Sequence, residues 1–386
     1  MTSETPPRAR PTAREAGITI GRLSTGPSNA ITDIAGVSVG HATLFAGSGP
    51  AAVRTGVTVV VPHPGNLFDQ KVVAAAHVIN AFGKAAGTTQ VVELGAIETP
   101  IALTNTLSVG AAFDGLVDHA LSLNPDLTSV NPVVGECNDS YLNDIRARLV
   151  RPEHILAAIA NAAPGSVAQG VVGAGTGMSC YEWKGGIGTA SRLIDSDLGG
   201  YSLGALVLAN FGRAEDLVIG GVPVGRYLVP PASDQPKTSP QPGSIITVIA
   251  TDAPATSRQL ERIAHRVQTG LARTGTFGSH GSGEYAIAFS TARTIPHHPS
   301  NPTLAAEELA ENGPAIDALF QATVEATEEA VINALCTADT VEGIDGHIRY
   351  GLPVDDVVEM WRNNGFRIMQ SCDLPDEVSE KGRDGR

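Results

Sequence analysis

Residues 229–254 read VPPASDQPKTSPQPGSIITVIATDAP, and the change of character inside this stretch governs how the chain is interpreted. The first fifteen residues hold few apolar side chains and five prolines, at positions 230, 231, 236, 240 and 242. Because proline lacks the backbone N–H that helices and sheet ladders need, this part predicts an exposed, extended loop. The β-branched run at 245–251 that follows predicts a buried strand.

Gly243 and Ser244 form the boundary between that loop and that strand. One interpretation is an ordinary interdomain linker that ends in Gly-Ser. The other is a self-cleavage site, in which the Ser244 hydroxyl attacks the Gly243 carbonyl, shifts the acyl group from nitrogen to oxygen, and lets water release a new N-terminus. Glycine leaves that carbonyl sterically open. The freed α-amine, with an ordinary pKa of about 8, would act as a base beside the nucleophile.

Apolar periodicity elsewhere in the chain predicts alternating strands and helices. Strands are predicted at 56–62, 101–107, 203–210 and 245–251, and helices at 70–84, 258–273, 314–335 and from Pro152 onward. The helices at 258–273 and 314–335 carry one apolar stripe each, so each should cover a sheet face. With glycine-rich turns between the elements, this order predicts an α/β or α+β core of packed layers.

Composition disfavours several classes of protein. The 386 residues are 42% hydrophobic and carry a net charge of −14, which favours a folded body and disfavours nucleic acid or an anionic membrane as a partner. The four cysteines are far apart and form no C-x-x-C pair, as expected in a reducing compartment. The first sixteen residues lack an apolar signal segment, and no run of about 18 apolar residues occurs, so we expect a cytoplasmic protein without membrane spans.

Motifs for other chemistries are absent or incomplete. The glycines of GVVGAGTGM (170–178) lack the dinucleotide-binding spacing, the histidines follow no metal-ligand spacing, and G-x-S-x-G does not occur. We therefore predict no cofactor and no metal. Cys137 and Cys180 are interpreted as buried small apolar residues rather than as thiol nucleophiles.

Seven stretches in order along the chain resemble the DmpA/BapA family of S58-type N-terminal serine aminopeptidases, which comprises L-aminopeptidase/D-amidase-esterases and β-peptidyl aminopeptidases. They are NTLSVG (105–110), VVGECNDSYLNDI (133–145), GAGTGM (173–178), LANFGR (208–213), GSIITVIATDAP (243–254), GLARTG (270–275) and GSGEYAIAFST (281–291). The resemblance runs from about residue 17 to about residue 360. It implies an α/β fold, a layered α-β-β-α sandwich similar to N-terminal nucleophile hydrolases but with its own connectivity.

The same resemblance implies that the chain cleaves itself between Gly243 and Ser244 and that the two fragments stay associated, as a homotetramer of αβ pairs. The segments expected are an α part of residues 1–243, a β part of residues 244–386, one catalytic domain at 17–372 containing a processing loop at 229–243, and polar tails at 1–16 and 373–386. On this interpretation the proline-rich loop lies inside one fold instead of separating two domains.

The catalytic roles implied by the resemblance fall on five residues. Ser244 becomes the N-terminal nucleophile after cleavage. Ser282 and Glu284, in GSGEYAIAF, lie beside it, where a carboxylate would hold the Ser244 ammonium and a hydroxyl would relay a hydrogen bond. Tyr141 and Asn210 donate to the oxyanion, a role suited to neutral phenol and amide donors.

Substrate-binding roles are implied for three further residues. Glu136, in GECND, corresponds to the carboxylate that anchors the ammonium group of a substrate, and this would select peptides with a free N-terminus. Asn138 shares that loop, and Asn105 also lines the expected site. Cys137 stands where the family usually has a small polar residue, so the preferred substrate side chain does not follow from the resemblance.

We therefore expect an aminopeptidase that acts on short peptides or on aminoacyl amides and esters, through an acyl-enzyme on Ser244. One alternative is an acyltransferase resembling ornithine acetyltransferase, although that family cleaves before threonine and this chain has serine. A second alternative is an uncleaved, non-catalytic homologue, which the presence of all five catalytic residue types disfavours.

Overall fold

Strands and helices alternate along residues 10–231 and 243–370, the part of the chain that the computed structural model describes. The strands are β1 (Ser38–Ala46), β2 (Val53–Val61), β3 (Gln70–Ala81), β4 (Ala96–Ile97), β5 (Ile101–Asn105), β6 (Val133–Cys137), β7 (Ser179–Cys180), β8 (Trp183–Lys184), β9 (Gly186–Leu193), β10 (Ser202–Asn210), β11 (Ser244–Thr251), β12 (Gly283–Pro296), β13 (Val341–Glu342) and β14 (Ile348–Arg349). The helices are α1 (Thr88–Leu94), α2 (Val109–Leu123), α3 (Pro152–Ala160), α4 (Ser257–His265), α5 (Val267–Arg273), α6 (Pro314–Cys336) and α7 (Val354–Gln370).

The larger sheet has six strands in the order β4-β3-β12-β11-β10-β9. Inside it, β11 runs parallel to β12 and antiparallel to β10. Every residue of β11 is buried, because both faces of the sheet are covered. This explains why the sequence SIITVIAT shows no alternation of polar and apolar side chains.

A four-stranded sheet, in the order β1-β2-β5-β6, packs against one face of the larger sheet. The buried cluster between the sheets takes Val60 and Leu103 from the smaller sheet and Leu206, Ile246 and Phe289 from the larger one. Apolar side chains from the inner faces of the two sheets thus form the central layer of the core.

Helices cover the outer faces of both sheets. α4 and α6 pack on the six-stranded sheet, α5 packs on α6, and α2 and α3 pack on the four-stranded sheet. Separate buried clusters fill these two outer interfaces, with Leu260, Ile263, Val331, Val207 and Ile249 in one and Leu116, Ile155, Val57 and Val59 in the other. The predicted α-β-β-α sandwich is therefore confirmed.

Two glycines permit the closest helix–sheet contacts. A Cβ on Gly188 of β9 would lie 1.9 Å from the Ala330 carbonyl oxygen of α6. A Cβ on Gly40 of β1 would likewise lie 1.9 Å from the Ala158 carbonyl oxygen of α3. Any side chain at either position would push the helix off its sheet.

The strands predicted at 56–62, 101–107, 203–210 and 245–251 correspond to β2, β5, β10 and β11, and the helices predicted from Pro152 and at 314–335 correspond to α3 and α6. The helix predicted at 258–273 is present as two, α4 and α5, which meet at Arg266. Of the helices in the described part of the chain, none is both long enough and apolar enough to cross a membrane.

The helix predicted at 70–84 is wrong, because Gln70–Ala81 forms strand β3. Alanines and valines at helical spacing suggested a helix, yet the segment pairs with β12 from Gly283 to Pro296. Val72, Val73, Ala74 and Ala75 are buried within the larger sheet. Sheet pairing and burial thus outweigh local helix propensity.

The prediction of a polar tail at 1–16 does not hold for residues 10–16, which belong to the folded body. Ala13 is fully buried and its N–H donates to Asn333 Oδ1 at 2.9 Å, and Arg14 pairs with Glu329 at 2.8 Å. Residues 10–16 therefore pack on α6. The rest of that tail, the processing loop from 232 to 242 and the tail predicted at 373–386 lie outside the described residues.

Candidate active site

The register of the larger sheet places Ser244 between the ends of two neighbouring strands. Ser244 begins β11, opposite Asn210 at the end of β10 and Gly283 at the start of β12. Only 4% of Ser244 is exposed, and its Oγ makes no hydrogen bond of standard geometry in the described part of the chain, although the Cys137 thiol lies near it. A buried hydroxyl without a good partner is unfavourable, and a catalytic role is one reason why such a group is kept.

Gly243 brings the preceding peptide bond into the same place. Its carbonyl oxygen accepts a hydrogen bond from Gly283 N–H at 3.0 Å. A Cβ at position 243 would lie 3.2 Å from Phe211 Cα and 3.5 Å from Ser282 Oγ. Glycine is therefore favoured by the close packing here, and the Ser282 hydroxyl lies beside the Gly243–Ser244 junction.

Ser282 and Glu284 stand at the start of β12, and each is only 2% exposed. Burial raises the pKa of the Glu284 carboxyl, and the neighbouring Ser282 hydroxyl, which makes no hydrogen bond of standard geometry in the described residues, offsets part of that rise. The turn before them is held by Asn80, whose Nδ2 donates to the carbonyl oxygens of Ser279 and His280 at 3.1 Å and to that of Ser282. Asn80 was missed at the sequence level because it lies in the segment interpreted as a helix.

A cavity of about 460 Å³ opens beside this junction. Its walls include Gly243 and five residues that were predicted to belong to the site: Asn138, Tyr141, Asn210, Ser282 and Glu284. Ser244 itself is not among the lining residues, whereas Gly243, to which it is bonded, is. Within the described residues, the structure thus brings together the predicted nucleophile, its two polar neighbours and the two predicted oxyanion donors.

Asn210 is fixed at both ends of its amide. Oδ1 accepts from Ser179 N–H at 2.8 Å, and Nδ2 donates to the Asn138 carbonyl oxygen at 2.9 Å. Since an amide nitrogen carries two hydrogens, one donor position remains. Asn138 is in turn held by its own loop, because its Oδ1 accepts from Ser140 N–H at 2.9 Å.

Glu136 lies outside the cavity wall in the described part of the chain. It is 4% exposed, and its carboxylate accepts hydrogen bonds from Lys84 N–H at 2.9 Å and from Thr106 Oγ1. The Glu136 charge contributes to the raised pKa of both the Cys137 thiol and the Tyr285 phenol, after the larger effect of burial in each case. The structure therefore places Glu136 beneath the site rather than facing its open space.

Asn105 also lies away from the cavity, in a buried polar cluster. Its Nδ2 donates to Thr55 Oγ1 at 2.8 Å. The neighbouring Asp139 is fully buried, and burial raises its pKa to about 6. Asn143 Nδ2 donates to Asp139 Oδ1 at 3.2 Å and, with the nearby Thr55 and Asn105, offsets part of that rise. This cluster supports the loop that carries Asn138 and Tyr141, so Asn105 contributes to the loop and not to the wall.

The two thiols considered at the sequence level are both buried, and burial raises the pKa of Cys137 and of Cys180. Thiolate is the nucleophilic form of cysteine. Since these thiols stay protonated at neutral pH, they behave as small apolar residues, as predicted. No group of three or more His, Cys, Asp or Glu side chains within residues 10–231 and 243–370 is arranged to hold a metal ion.

Charged side chains that the sequence did not single out complete the wall. They are Glu182, Arg213, Asp216 and Arg349. Glu182 and the preceding Tyr181 both have positive φ, at 62° and 51°, although neither is glycine. The buried Tyr181 hydroxyl pairs with Thr274 Oγ1 at 2.7 Å, and this anchor supports the strained turn that presents Glu182 to the cavity.

Replacing Asp139 with Asn should change how stability depends on pH. The folded protein binds a proton at Asp139 more tightly than the unfolded chain does, so this group's contribution is present at low pH and is lost as pH rises through about 6. Between pH 4.5 and 7.5 the free energy of unfolding of D139N should therefore gain about 2 kcal/mol relative to the wild type. Urea unfolding across this pH range measures the difference.

The exposed Asp118 on α2 provides the control. D118N should differ from the wild type by no more than about 0.5 kcal/mol at each pH. A pH-independent difference for D139N would contradict the assignment of a raised pKa to Asp139.

Comparison with known proteins gives a family for this arrangement. The model of "Peptidase family S58" matches residues 29–349. The β-peptidyl aminopeptidase BapA of Sphingosinicella microcystinivorans is 40% identical over 359 residues, which cover 89% of this chain and 90% of that protein.

Solved structures agree in fold over nearly the whole chain. The PH0078 protein of Pyrococcus horikoshii OT3 is 50% identical with a TM-score of 0.85, covering 92% of this chain and 99% of that one. The L-aminopeptidase D-Ala-esterase/amidase of Ochrobactrum anthropi, described as a variant of the Ntn hydrolase fold, is 36% identical with a TM-score of 0.85 and the same coverage. The resemblance noted in the sequence is thus confirmed: the chain belongs to peptidase family S58, and it is a hydrolase of the serine aminopeptidase class.

Proposed function

We propose that this aminopeptidase cleaves itself between Gly243 and Ser244 and then uses Ser244 as an N-terminal nucleophile on peptides and on aminoacyl amides or esters with a free N-terminus. The observation that carries the proposal is the buried, unpartnered Ser244 hydroxyl at the first position of the central strand. A single peptide bond joins Ser244 to Gly243, whose carbonyl oxygen already accepts a backbone hydrogen bond from Gly283.

Self-cleavage needs only groups that lie at this junction. Ser244 Oγ attacks the Gly243 carbonyl carbon, the C–N bond breaks, and the hydroxyl proton passes to the departing Ser244 nitrogen. The Gly283 N–H, 3.0 Å from the Gly243 carbonyl oxygen, stabilises the negative charge that develops there. Water then hydrolyses the ester, which leaves a carboxylate on Gly243 and restores the hydroxyl.

Turnover would use the new amine as the base. The free α-amine of Ser244, with an ordinary pKa of about 8, takes the proton of its own hydroxyl as Oγ attacks the substrate carbonyl. The buried Glu284 stabilises the resulting ammonium, and Ser282 connects the two groups. Tyr141 and the remaining hydrogen of Asn210 Nδ2 donate to the oxyanion, and water resolves the acyl-enzyme.

The substrate ammonium would bind near Glu136 and Asn138. Two of the four lone-pair positions of the Glu136 carboxylate are taken by Lys84 N–H and Thr106 Oγ1, which leaves room for a charged donor. After cleavage the new Gly243 carboxyl end would be free to move away from Ser244, which would open a path from the cavity toward Glu136. A panel of β-, L- and D-aminoacyl anilides would define the preferred substrate, since the relatives' names include both β-peptidyl and D-Ala activities.

After cleavage the two fragments should stay together. β11 and β12 of the β part pair with β10 and β3 of the α part within one sheet. Separating them would expose both the backbone donors of four strands and the core on each face. A homotetramer of αβ pairs and a cytoplasmic location remain predictions, which size-exclusion chromatography and cell fractionation would test.

The wild-type protein should separate under denaturing conditions into chains of 243 and 143 residues, as measured by intact mass. Ser244→Ala should remain one chain of 386 residues without aminopeptidase activity, because the attacking oxygen is gone. Ser122→Ala, on the exposed surface of α2, is the matched control and should be cleaved like the wild type. A wild-type chain that stays intact on long incubation while hydrolysing anilides would exclude this mechanism.

Tyr141→Phe should separate cleavage from turnover. Since the Gly243 carbonyl is bound by Gly283 N–H and not by Tyr141, self-cleavage should stay within about twofold of the wild type. The kcat for an aminoacyl anilide should fall about 100- to 1,000-fold, the usual effect of losing one oxyanion donor. Tyr227→Phe, at an exposed tyrosine, should change neither rate. Equal losses in cleavage and turnover for Y141F would mean that the same donors serve both reactions.

A further inference from the structure

Arg349 is a buried arginine at the cavity wall to which the steps above give no role. It lies on the two-residue strand β14 and is only 4% exposed. Burial lowers the pKa of its guanidinium, and nearby Tyr141 and Glu182 partly offset this. An arginine remains charged at neutral pH even so, which makes it a permanent cation at the edge of the site.

The guanidinium packs on the ring of Tyr141. Arg349 Cζ lies 3.6 Å from the centroid of that ring, a cation–π contact. The neighbouring His347 stacks on the same tyrosine, with ring centroids 4.6 Å apart and planes 9° from parallel. His347 Nδ1 also donates to the Tyr141 carbonyl oxygen at 2.9 Å. Residues 347–349 therefore hold both the ring and the backbone of Tyr141.

The same guanidinium reaches toward Asn210 through one intermediate residue. Arg349 Nε donates to Ser179 Oγ at 3.0 Å, and Ser179 N–H donates to Asn210 Oδ1 at 2.8 Å. These bonds fix the orientation of the Asn210 amide, because Oδ1 is held by Ser179 and Nδ2 is left to donate. One side chain thus contacts Tyr141 directly and Asn210 through Ser179.

We propose that Arg349 is a positioning residue that aligns the two oxyanion donors, Tyr141 and Asn210, and adds positive charge beside them. The inference rests on the proposed function, in which those two residues hold the oxyanion. Arg349 acts through its contacts with Tyr141 and Ser179 and touches no reacting atom.

Physical reasons favour a role in the transition state over one in substrate binding. A fixed cation stabilises the partial negative charge that a phenol oxygen gains when it donates a proton to an oxyanion. The planar guanidinium can stack on a ring and donate from Nε at the same time, which an ammonium group cannot do. The wall also carries Glu182, Arg213 and Asp216, so a substitution of Arg349 removes one of the two arginines that line it among the described residues.

The main test replaces Arg349 with Met and with Lys and measures steady-state kinetics per cleaved enzyme, counted by intact mass. R349M should lower kcat about 10- to 100-fold, which is less than the loss from removing an oxyanion donor. Its KM should stay within about twofold of the wild type. R349K should recover part of kcat, because the charge returns without the planar fork. Arg146→Met is the matched control: Arg146 follows Tyr141 in the same loop region, its side chain is 91% exposed, and kcat should not change.

Two further readouts separate positioning from a general structural effect. An amino aldehyde forms a hemiacetal with the nucleophile and places an oxygen in the oxyanion position, so R349M should weaken its binding by about the factor lost in kcat/KM. Binding of the product amino acid should stay within about twofold. In a double-mutant cycle, R349M should cost much less in the Tyr141→Phe background than in the wild type.

The outcomes distinguish this inference from the proposed function. If Y141F itself leaves kcat unchanged, the oxyanion assignment fails and this inference fails with it. If Y141F lowers kcat while both Arg349 variants stay within about twofold of the wild type, only the role of Arg349 is overturned. The role of Arg349 is also overturned if R349M weakens the binding of the amino aldehyde and of the product amino acid equally. Full additivity of the losses caused by R349M and Y141F would overturn it too. If R349M yields no cleaved enzyme, R349K decides by the same criteria, and loss of cleaved enzyme in both variants overturns the role.

Discussion

The structure depends on the pairing of β11 with β10 on one side and with β12 on the other. This register puts Ser244 opposite Asn210 and Gly283, and it places Glu284 one residue further along β12. A slip of one residue would turn every side chain of β11 to the opposite face of the sheet. The burial of β11 by both the smaller sheet and the helices makes that slip costly, so the packing of the sandwich fixes the geometry of the site.

The proposed mechanism uses two sets of donors for two different carbonyl groups. Gly283 N–H faces the Gly243 carbonyl, whereas Tyr141 and Asn210 lie on the cavity wall, where a substrate would enter. In that mechanism one nucleophile serves two reactions in sequence, because cleavage frees the Gly243 end to move away and makes room for the substrate carbonyl. The raised pKa of Glu284 suits a carboxyl that must exchange hydrogen bonds with a neighbouring ammonium during this change.

Local sequence predicted the parts of this arrangement that depend on local pattern. The apolar run after Gly243 indicated the central strand, whereas the position of Ser282 and Glu284 beside Ser244 was implied by the family resemblance and strand β12 was not predicted. Strand β3 was missed because its alanine-rich sequence also fits a helix. Only its pairing with β12 determines that the segment forms a strand. Asn80 and Arg349 were missed for a related reason: each acts through contacts more than a hundred residues away in the chain. Glu136 and Asn105 were assigned to the site by resemblance, and the structure places both outside the cavity wall in the described part of the chain. Glu136 accepts from Lys84 N–H, and Asn105 Nδ2 donates to Thr55 Oγ1 while Asn105 Oδ1 has no partner among the described residues.

The central claim is that Ser244 is the nucleophile and the first residue of a separate chain. Treating the purified protein with a serine-reactive sulfonyl fluoride and mapping the adduct by tandem mass spectrometry tests both parts at once. The account predicts a single sulfonyl group on the hydroxyl oxygen of Ser244, at the N-terminus of a 143-residue chain. An adduct on Ser282 or Cys137, or on Ser244 within an uncleaved chain that is fully active, would contradict it.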